Sequence, residues 1–276
     1  MDRIRLIASD MDATLLDEQS QLPADFEETV HALAALGIRF APASGRPLYT
    51  LEELFPTLRD ELVFIGDNGG AIRWKGQNLF TSEMSPEGWR ALNRLTREQG
   101  DIAVLCGLES AYVERLFAVH DAVLRHFYTK IEYVDRLEDV AAPADKFTIY
   151  LPQHNAQQAY DTVYASQRSI YSVAVAGECW VDIMNPGVHK GAALQTLGQL
   201  WGLPSESIMA FGDTYNDAEM LRTAKYGFLM ENGSVPLRRN VPFLAPSNRE
   251  AGVMQVLHRV LAQNGCVCPE DFVPAH

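Results

Sequence analysis

The chain has 276 residues, 47% hydrophobic and 21% charged, enough for two compact cores and ordinary for a globular protein. Its net charge of −13 argues against non-specific binding to nucleic acid or anionic lipid. No apolar run is long enough to span a bilayer, so neither nucleic acid nor membrane is expected as a partner. Cys106, Cys179, Cys266 and Cys268 form no ligand-spaced pair, and Asp10 interrupts the apolar start too early for a signal peptide. A reducing, cytoplasmic setting is the expectation.

Ile4–Ser9 is an apolar run suited to a strand buried on both faces of a parallel sheet. Ala24–Leu36 reads as a helix stopped by Gly37, and Ile38–Ala43 as a second strand ending in Ser44-Gly45-Arg46-Pro47. A helix from Leu48 to near Pro56 and a strand over Leu62–Gly66 follow, then the turn signal Asp67-Asn68-Gly69-Gly70. This β-α-β-α-β opening implies parallel strands with right-handed crossovers. In the middle, helices are expected over 89–99, 114–127 and 156–167. Strands are expected over 102–105, 111–113, 131–134, 146–151, 170–175 and 179–183, with Gly177 closing a hairpin. The first rhythm returns as helix 190–201, strand 207–211, helix 217–224, strand 227–230 and helix 251–262. The expected architecture is an α/β, Rossmann-like parallel sheet core formed by residues 1–82 and 186–276. Residues 83–185 form an inserted α+β domain.

Four segments stand at strand or helix ends: Asp10-x-Asp12-x-Thr14, Ser44-Gly45, Lys190, and Gly212-Asp213-x-x-Asn216-Asp217. Ligands of open α/β sheets bind at the carboxyl ends of the strands, so the four can converge. Asp10 and Asp213 suit Mg²⁺, which takes oxygen ligands, and Lys190 supplies local positive charge for a phosphate in an acidic protein. The Ser44 hydroxyl and the Gly45 N–H can donate to phosphate. Two carboxylates two residues apart, Asp10 and Asp12, can divide the work into nucleophile and proton donor. Taken singly, each segment also fits a turn, a cap or a surface lysine; their joint occurrence carries the reading.

These residues resemble the haloacid dehalogenase superfamily of phosphatases, whose four motifs they match in order. The whole chain is similar to the Cof-type subgroup, in which a large cap of the C2 type lies between the second and third motifs. Asp67-Asn68-Gly69-Gly70, Asn185-Pro186-Gly187-Val188-His189-Lys190-Gly191 and Ser247-Asn248-Arg249-Glu250-Ala251-Gly252-Val253 extend the likeness over nearly the full length. The resemblance implies a phosphomonoester hydrolase of small phosphorylated metabolites, such as sugar phosphates, flavin mononucleotide or the phosphorylated pyrimidine of riboflavin synthesis. It implies that Asp10 is nucleophile and metal ligand. It also implies that Asp12 is acid/base and offers its carbonyl to Mg²⁺, and that Asp213 binds Mg²⁺. Met11, Thr14, Ser44, Gly45, Lys190 and Asn216 would hold phosphate, with Asp217 in support.

Ala13 departs from the glycine usual in the family, so the loop either stays within alanine's allowed region or is strained. Met230-Glu231-Asn232-Gly233 also varies from the family loop and has no assigned role. Two rivals remain: a signalling receiver, disfavoured by Asp12 and the insertion, and a non-catalytic phosphometabolite-binding protein, disfavoured by Asp12. Trp180, Tyr112, His126 and Tyr128 are candidate contacts for the leaving group.

Overall fold

The computed structural model describes all 276 residues. It contains two sheets of consequence. The larger has nine strands in the order 273–274, 243–245, 226–230, 208–212, 6–10, 39–43, 63–66, 71–74, 77–81. The six central strands, from Phe243–Ala245 to Val63–Gly66, pair in parallel. Leu6 and Ala8 point into the apolar layer on one face and Ile7 into the layer on the other, as a strand buried on both sides requires. Helices Phe26–Ala35 and Gly252–Ala262 cover one face, and Lys190–Trp201 and Ala218–Thr223 the other.

The smaller sheet has six strands in the order 172–175, 180–184, 144–150, 102–107, 111–114, 131–134. All its pairings are antiparallel except the last. Along Ala144–Tyr150 the side chains alternate. Phe147 and Ile149 enter an apolar core beneath helix Pro86–Gln99, while Lys146, Thr148 and Tyr150 face the opposite way. The register pairs Thr148 with Asp182 and Tyr150 with Trp180, so these side chains share that opposite face. The two connections between the sheets run side by side, with Asn185 Nδ2 donating to the carbonyls of Ser82 and Glu83. No helix is long and apolar enough to cross a membrane.

Several elements differ from the sequence reading. The turn at 67–70 opens a hairpin, Ala71–Trp74 with Gln77–Thr81, that extends the large sheet antiparallel at one edge. At the other edge Val273–Pro274 pairs antiparallel with Phe243–Ala245. The expected helix at 114–127 is a strand end, a 3₁₀ segment Arg115–His120 and a short helix Asp121–Phe127. The 3₁₀ segment buries no residue, and Leu116 and Val119 stay exposed, so no apolar stripe sustains a longer helix there. The expected helix at 156–167 stops at Asp161, because Ala165–Ser169, rich in serine and glutamine, likewise buries nothing. The hairpin at Gly177 forms, with the glycine at φ +88.

Candidate active site

Strands Leu6–Asp10 and Ile208–Gly212 lie side by side where the strand order reverses, and their carboxyl ends open one crevice. Asp10 ends the first, and Asp213 follows the second. Lys190 is the first residue of its helix, which His189 caps by accepting from the Ala192 N–H at 3.1 Å. From there its fully buried ammonium donates to Asp10 Oδ1 and, at 2.7 Å, to Asp217 Oδ1. Asp217 Oδ2 accepts from the main-chain N–H groups of Asp213 and Thr214 at 3.0 and 3.3 Å. Asp217 therefore caps its own turn and anchors the lysine at once. Gly212 makes this possible, because a Cβ there would lie 2.4 Å from that of Asp217.

Asp10, Asp213 and Asp217 present oxygens within 4.8 Å of one another. Burial, then the charge of Asp217, push Asp10 up to about 7, against the opposing pull of Lys190. Burial and Asp217 raise Asp213 to about 6. Burial pulls Lys190 down, yet Asp10 and Asp217 together hold it above its ordinary value. Three carboxylates thus face one ammonium.

Asp12 stands on the rim of the same crevice with its side chain 57% exposed, paired with Arg46 Nη2 at 2.8 and 3.1 Å. Arg46 was legible only as part of the Ser44-Gly45-Arg46-Pro47 turn; its grip on Asp12 spans 34 positions and leaves no local signal. Ala13 adopts φ 59, ψ 10, so the strained alternative holds, at a cost of about 1–2 kcal/mol for a residue with Cβ. The segment Met230–Gly233 supplies the support that the sequence left without a role. Asn232 Nδ2 donates to Ala13 O at 2.8 Å, and Asn232 Oδ1 accepts from Asn248 N at 3.0 Å. Asn248 Nδ2 then donates to Leu16 O at 2.9 Å. Three successive amide contacts brace the loop that carries both aspartates.

Met11 and Thr14 are buried in that loop, and the Thr14 hydroxyl has no protein partner. Ser44 and Gly45 follow the strand next to Asp10. The missing side chain of Gly45 makes room for Asn68, whose amide atoms would lie 3.2 Å from a Cβ there. Asn216 reaches Asn68 Oδ1 at 3.5 Å.

The crevice continues into a cleft of about 890 Å³ between the two sheets. Asp10, Asp12, Ser44, Gly45, Asp213 and Asn216 line one end. Lys146, Thr148 and Asp182 of the small sheet join Asn68 in the middle, and Phe127, Tyr128, Tyr160 and Trp180 form an aromatic wall. Of the four leaving-group candidates, Trp180 and Tyr128 line the cleft; Tyr112 and His126 do not. Tyr112 packs on the far core of the small sheet, and His126 stands edge-on to Phe127.

The doubly wound parallel sheet thus carries buried carboxylates and a lysine at its switch point, where ligands of Rossmann-like cores bind. Residues 7–257 match the haloacid dehalogenase-like hydrolase family model, and the chain belongs to that family, as a phosphatase of the Cof type. It is 33% identical over 262 residues to an Escherichia coli 5-amino-6-(5-phospho-D-ribitylamino)uracil phosphatase, YbjI, covering 94% of this chain and 96% of the relative. It is 30% identical over 255 residues to an HMP-PP phosphatase of Cronobacter sakazakii, covering 87% and 89%. The solved structure of SMU.1108c from Streptococcus mutans superposes with a TM-score of 0.85 at 29% identity, covering 94% of this chain and 99% of that one.

Proposed function

We propose that this phosphatase is a Mg²⁺-dependent phosphomonoester hydrolase that works through phosphorylated Asp10. The observation that carries the reading is the buried cluster at the switch point. Three carboxylates facing one ammonium leave excess negative charge in a site that must accept a dianion. An all-oxygen donor set of this kind fits a hard divalent cation. Asp10, Asp213 and the Asp12 carbonyl would hold the cation, with Asp217 fixing Lys190 and the Asp213 main chain beside them. When bound, the cation neutralises charge on the phosphoryl oxygens.

Asp10 attacks phosphorus in line, and the bond to the leaving oxygen breaks as Asp12 gives that oxygen its proton. Asp12 then takes a proton from water, whose oxygen attacks the phosphorus of the Asp10 acyl phosphate and frees phosphate and carboxylate. Covalent catalysis of this kind divides one hard step into two. Lys190, Ser44, the Gly45 N–H, the Met11 main chain, Asn216 and the unpartnered Thr14 hydroxyl hold the phosphoryl oxygens. Asp12, exposed at the rim and paired only with Arg46, is the one carboxylate of the set outside the buried cluster and on the leaving-group side.

Residues 83–185 act as the cap and residues 1–82 with 186–276 as the core. The side-by-side connections at Ser82–Glu83 and Asn185 support that division. The aromatic wall and polar middle of the cleft favour a small phosphorylated metabolite in which a polar chain leads to a flat ring. The name of the Escherichia coli relative's substrate joins a phosphorylated ribityl chain to a uracil in this way. Four free cysteines support a cytoplasmic location. The test is hydrolysis of phosphorylated metabolites before and after chelation. Activity is expected to vanish with EDTA and to return with added Mg²⁺; undiminished turnover in EDTA contradicts the cation's role.

A further inference from the structure

The Ser44–Arg46 loop is held by its carbonyls. Ser44 O accepts from the Asn68 N–H at 2.9 Å, and Arg46 O accepts from the Asp67 N–H at 3.0 Å. Between them, Gly45 O accepts from Lys146 Nζ at 2.6 Å. The first two donors belong to the turn after the neighbouring strand of the large sheet. The third belongs to strand Ala144–Tyr150 of the small sheet, about a hundred positions away.

The Gly45–Arg46 peptide is planar, so holding its oxygen also fixes the direction of the Arg46 N–H. That N–H donates to Ser44 Oγ at 3.1 Å. The serine oxygen is thereby occupied as an acceptor, and its own proton is left to point elsewhere. The Gly45 N–H makes no bond within the protein. With all three carbonyls taken, the Ser44 hydroxyl proton and the Gly45 N–H are the donors this loop can offer a ligand besides the Arg46 guanidinium. Without its anchor, a peptide beginning at glycine has the most freedom of any to turn over.

Lys146 is an expensive residue to bury, and it is only 2% exposed. Its charge is matched by Asp67 Oδ1 at 2.9 Å and Asp182 Oδ2 at 3.8 Å. Asp182 in turn accepts from Thr148 Oγ1 at 2.8 Å and Asn68 Nδ2 at 3.1 Å. Asp67 and Asn68 belong to the large sheet's side of the cleft, and Asp182, Thr148 and Lys146 to the small sheet's. The cluster therefore exists only when the two sheets face each other.

We propose that Lys146 is a positioning residue for phosphate, completing the Ser44–Arg46 loop from the small sheet so that phosphate affinity depends on that sheet lying over the core. This rests on the reading of Ser44 and Gly45 as phosphate donors. The probe is inorganic phosphate, measured as a competitive inhibitor of p-nitrophenyl phosphate hydrolysis by the full chain with Mg²⁺. Lys146→Met alone strands buried carboxylates, so the informative variant is Lys146→Met with Asp67→Asn. Asparagine tolerates the positive φ of position 67, where Asp67 sits at φ 50. Its inhibition constant for phosphate is expected to rise about tenfold. The KM values of small and large phosphomonoesters should rise together, because the defect lies at the shared end of every substrate. Cooperative thermal unfolding verifies the fold; Lys146→Gln gives the same comparison if the double variant unfolds. Ser44→Ala is the control and is expected to weaken phosphate binding in its own right. A folded Lys146 variant with the wild-type constant, beside a weakened Ser44→Ala, overturns the role of Lys146 alone. An unchanged constant in Ser44→Ala overturns the reading of the loop, and this proposal with it.

Discussion

At the phosphate end of the cleft, every side chain of interest sits at the end of a strand, in the turn that follows one or at the start of a helix. At the far end, the side chains come from the faces of antiparallel strands and from short helices. The difference decides how each end tolerates change. Strand and helix ends supply free main-chain donors and close approaches, so the geometry of the proposed phosphate end is closely specified. Alternate positions on a strand can be exchanged without disturbing the ladder, so the far end can change its ligand while keeping the fold. The phosphate end is therefore expected to carry chemistry and the far end choice of leaving group.

The largest expected effect tests the first half of that comparison. Asp10→Asn should lower kcat by about 10⁴-fold or more for every substrate, because the nucleophile is lost. A loss confined to one leaving group would erase the distinction between the ends. Next comes the aromatic wall. Tyr160→Ala should reduce kcat/KM about tenfold for phosphomonoesters whose leaving group carries a flat ring, and leave ringless sugar phosphates nearly unchanged. Equal losses on both kinds of substrate would place Tyr160 among general packing residues.

A smaller effect is expected where the two halves join. Asp145 occupies a bulge in strand Ala144–Tyr150, with both carboxylate oxygens buried and unpartnered beside Gly70. Burial, then the charge of Asp67, hold its carboxyl well above the ordinary 3.8, with Lys146 opposing and Glu83 adding a little. The folded protein therefore keeps a proton that the unfolded chain releases. Stability from this group is complete below the unfolded value of 3.8 and is lost as the pH rises toward the folded value. Asp145→Asn should flatten the decline in stability as the pH rises above 3.8, seen in Tm measured at increasing pH. A decline as steep as the parent's would assign it to other groups. The smallest effect is at Ala13. Relief of its left-handed strain, about 1–2 kcal/mol, is partly offset by the freedom glycine gains in the unfolded chain. Ala13→Gly should gain about 0.5 kcal/mol; a lower Tm would mean that the methyl group packs usefully.

The same contrast explains what could be read from the sequence. Asp10, Asp213 and Lys190 announce themselves because each stands where an apolar run stops or a helix begins. The hairpin after Asn68 was hidden because Gly69-Gly70 reads equally as a turn into a loop. Lys146, Thr148 and Asp182 were hidden for a different reason. A polar residue at every second position of a strand reads as a solvated face, yet here that face is covered by the other sheet. Only the pairing of Thr148 with Asp182, and the approach of Lys146 to Gly45, convert that alternation into a site. Arg46 and Asn232 were missed because their partners, Asp12 and Ala13, are distant in sequence and close only after folding.

The central claim is that Asp10 becomes phosphorylated during turnover. Acid quenching in the first turnover, followed by borohydride reduction and peptide mass spectrometry, reads this directly, since borohydride converts an acyl phosphate to an alcohol. The account predicts a reduced side chain at position 10, its accumulation when Asp12→Asn slows hydrolysis, and its absence from Asp10→Asn. Turnover with no reduced carboxyl at any stage, or with reduction at Asp213 or Asp217 instead, would contradict it.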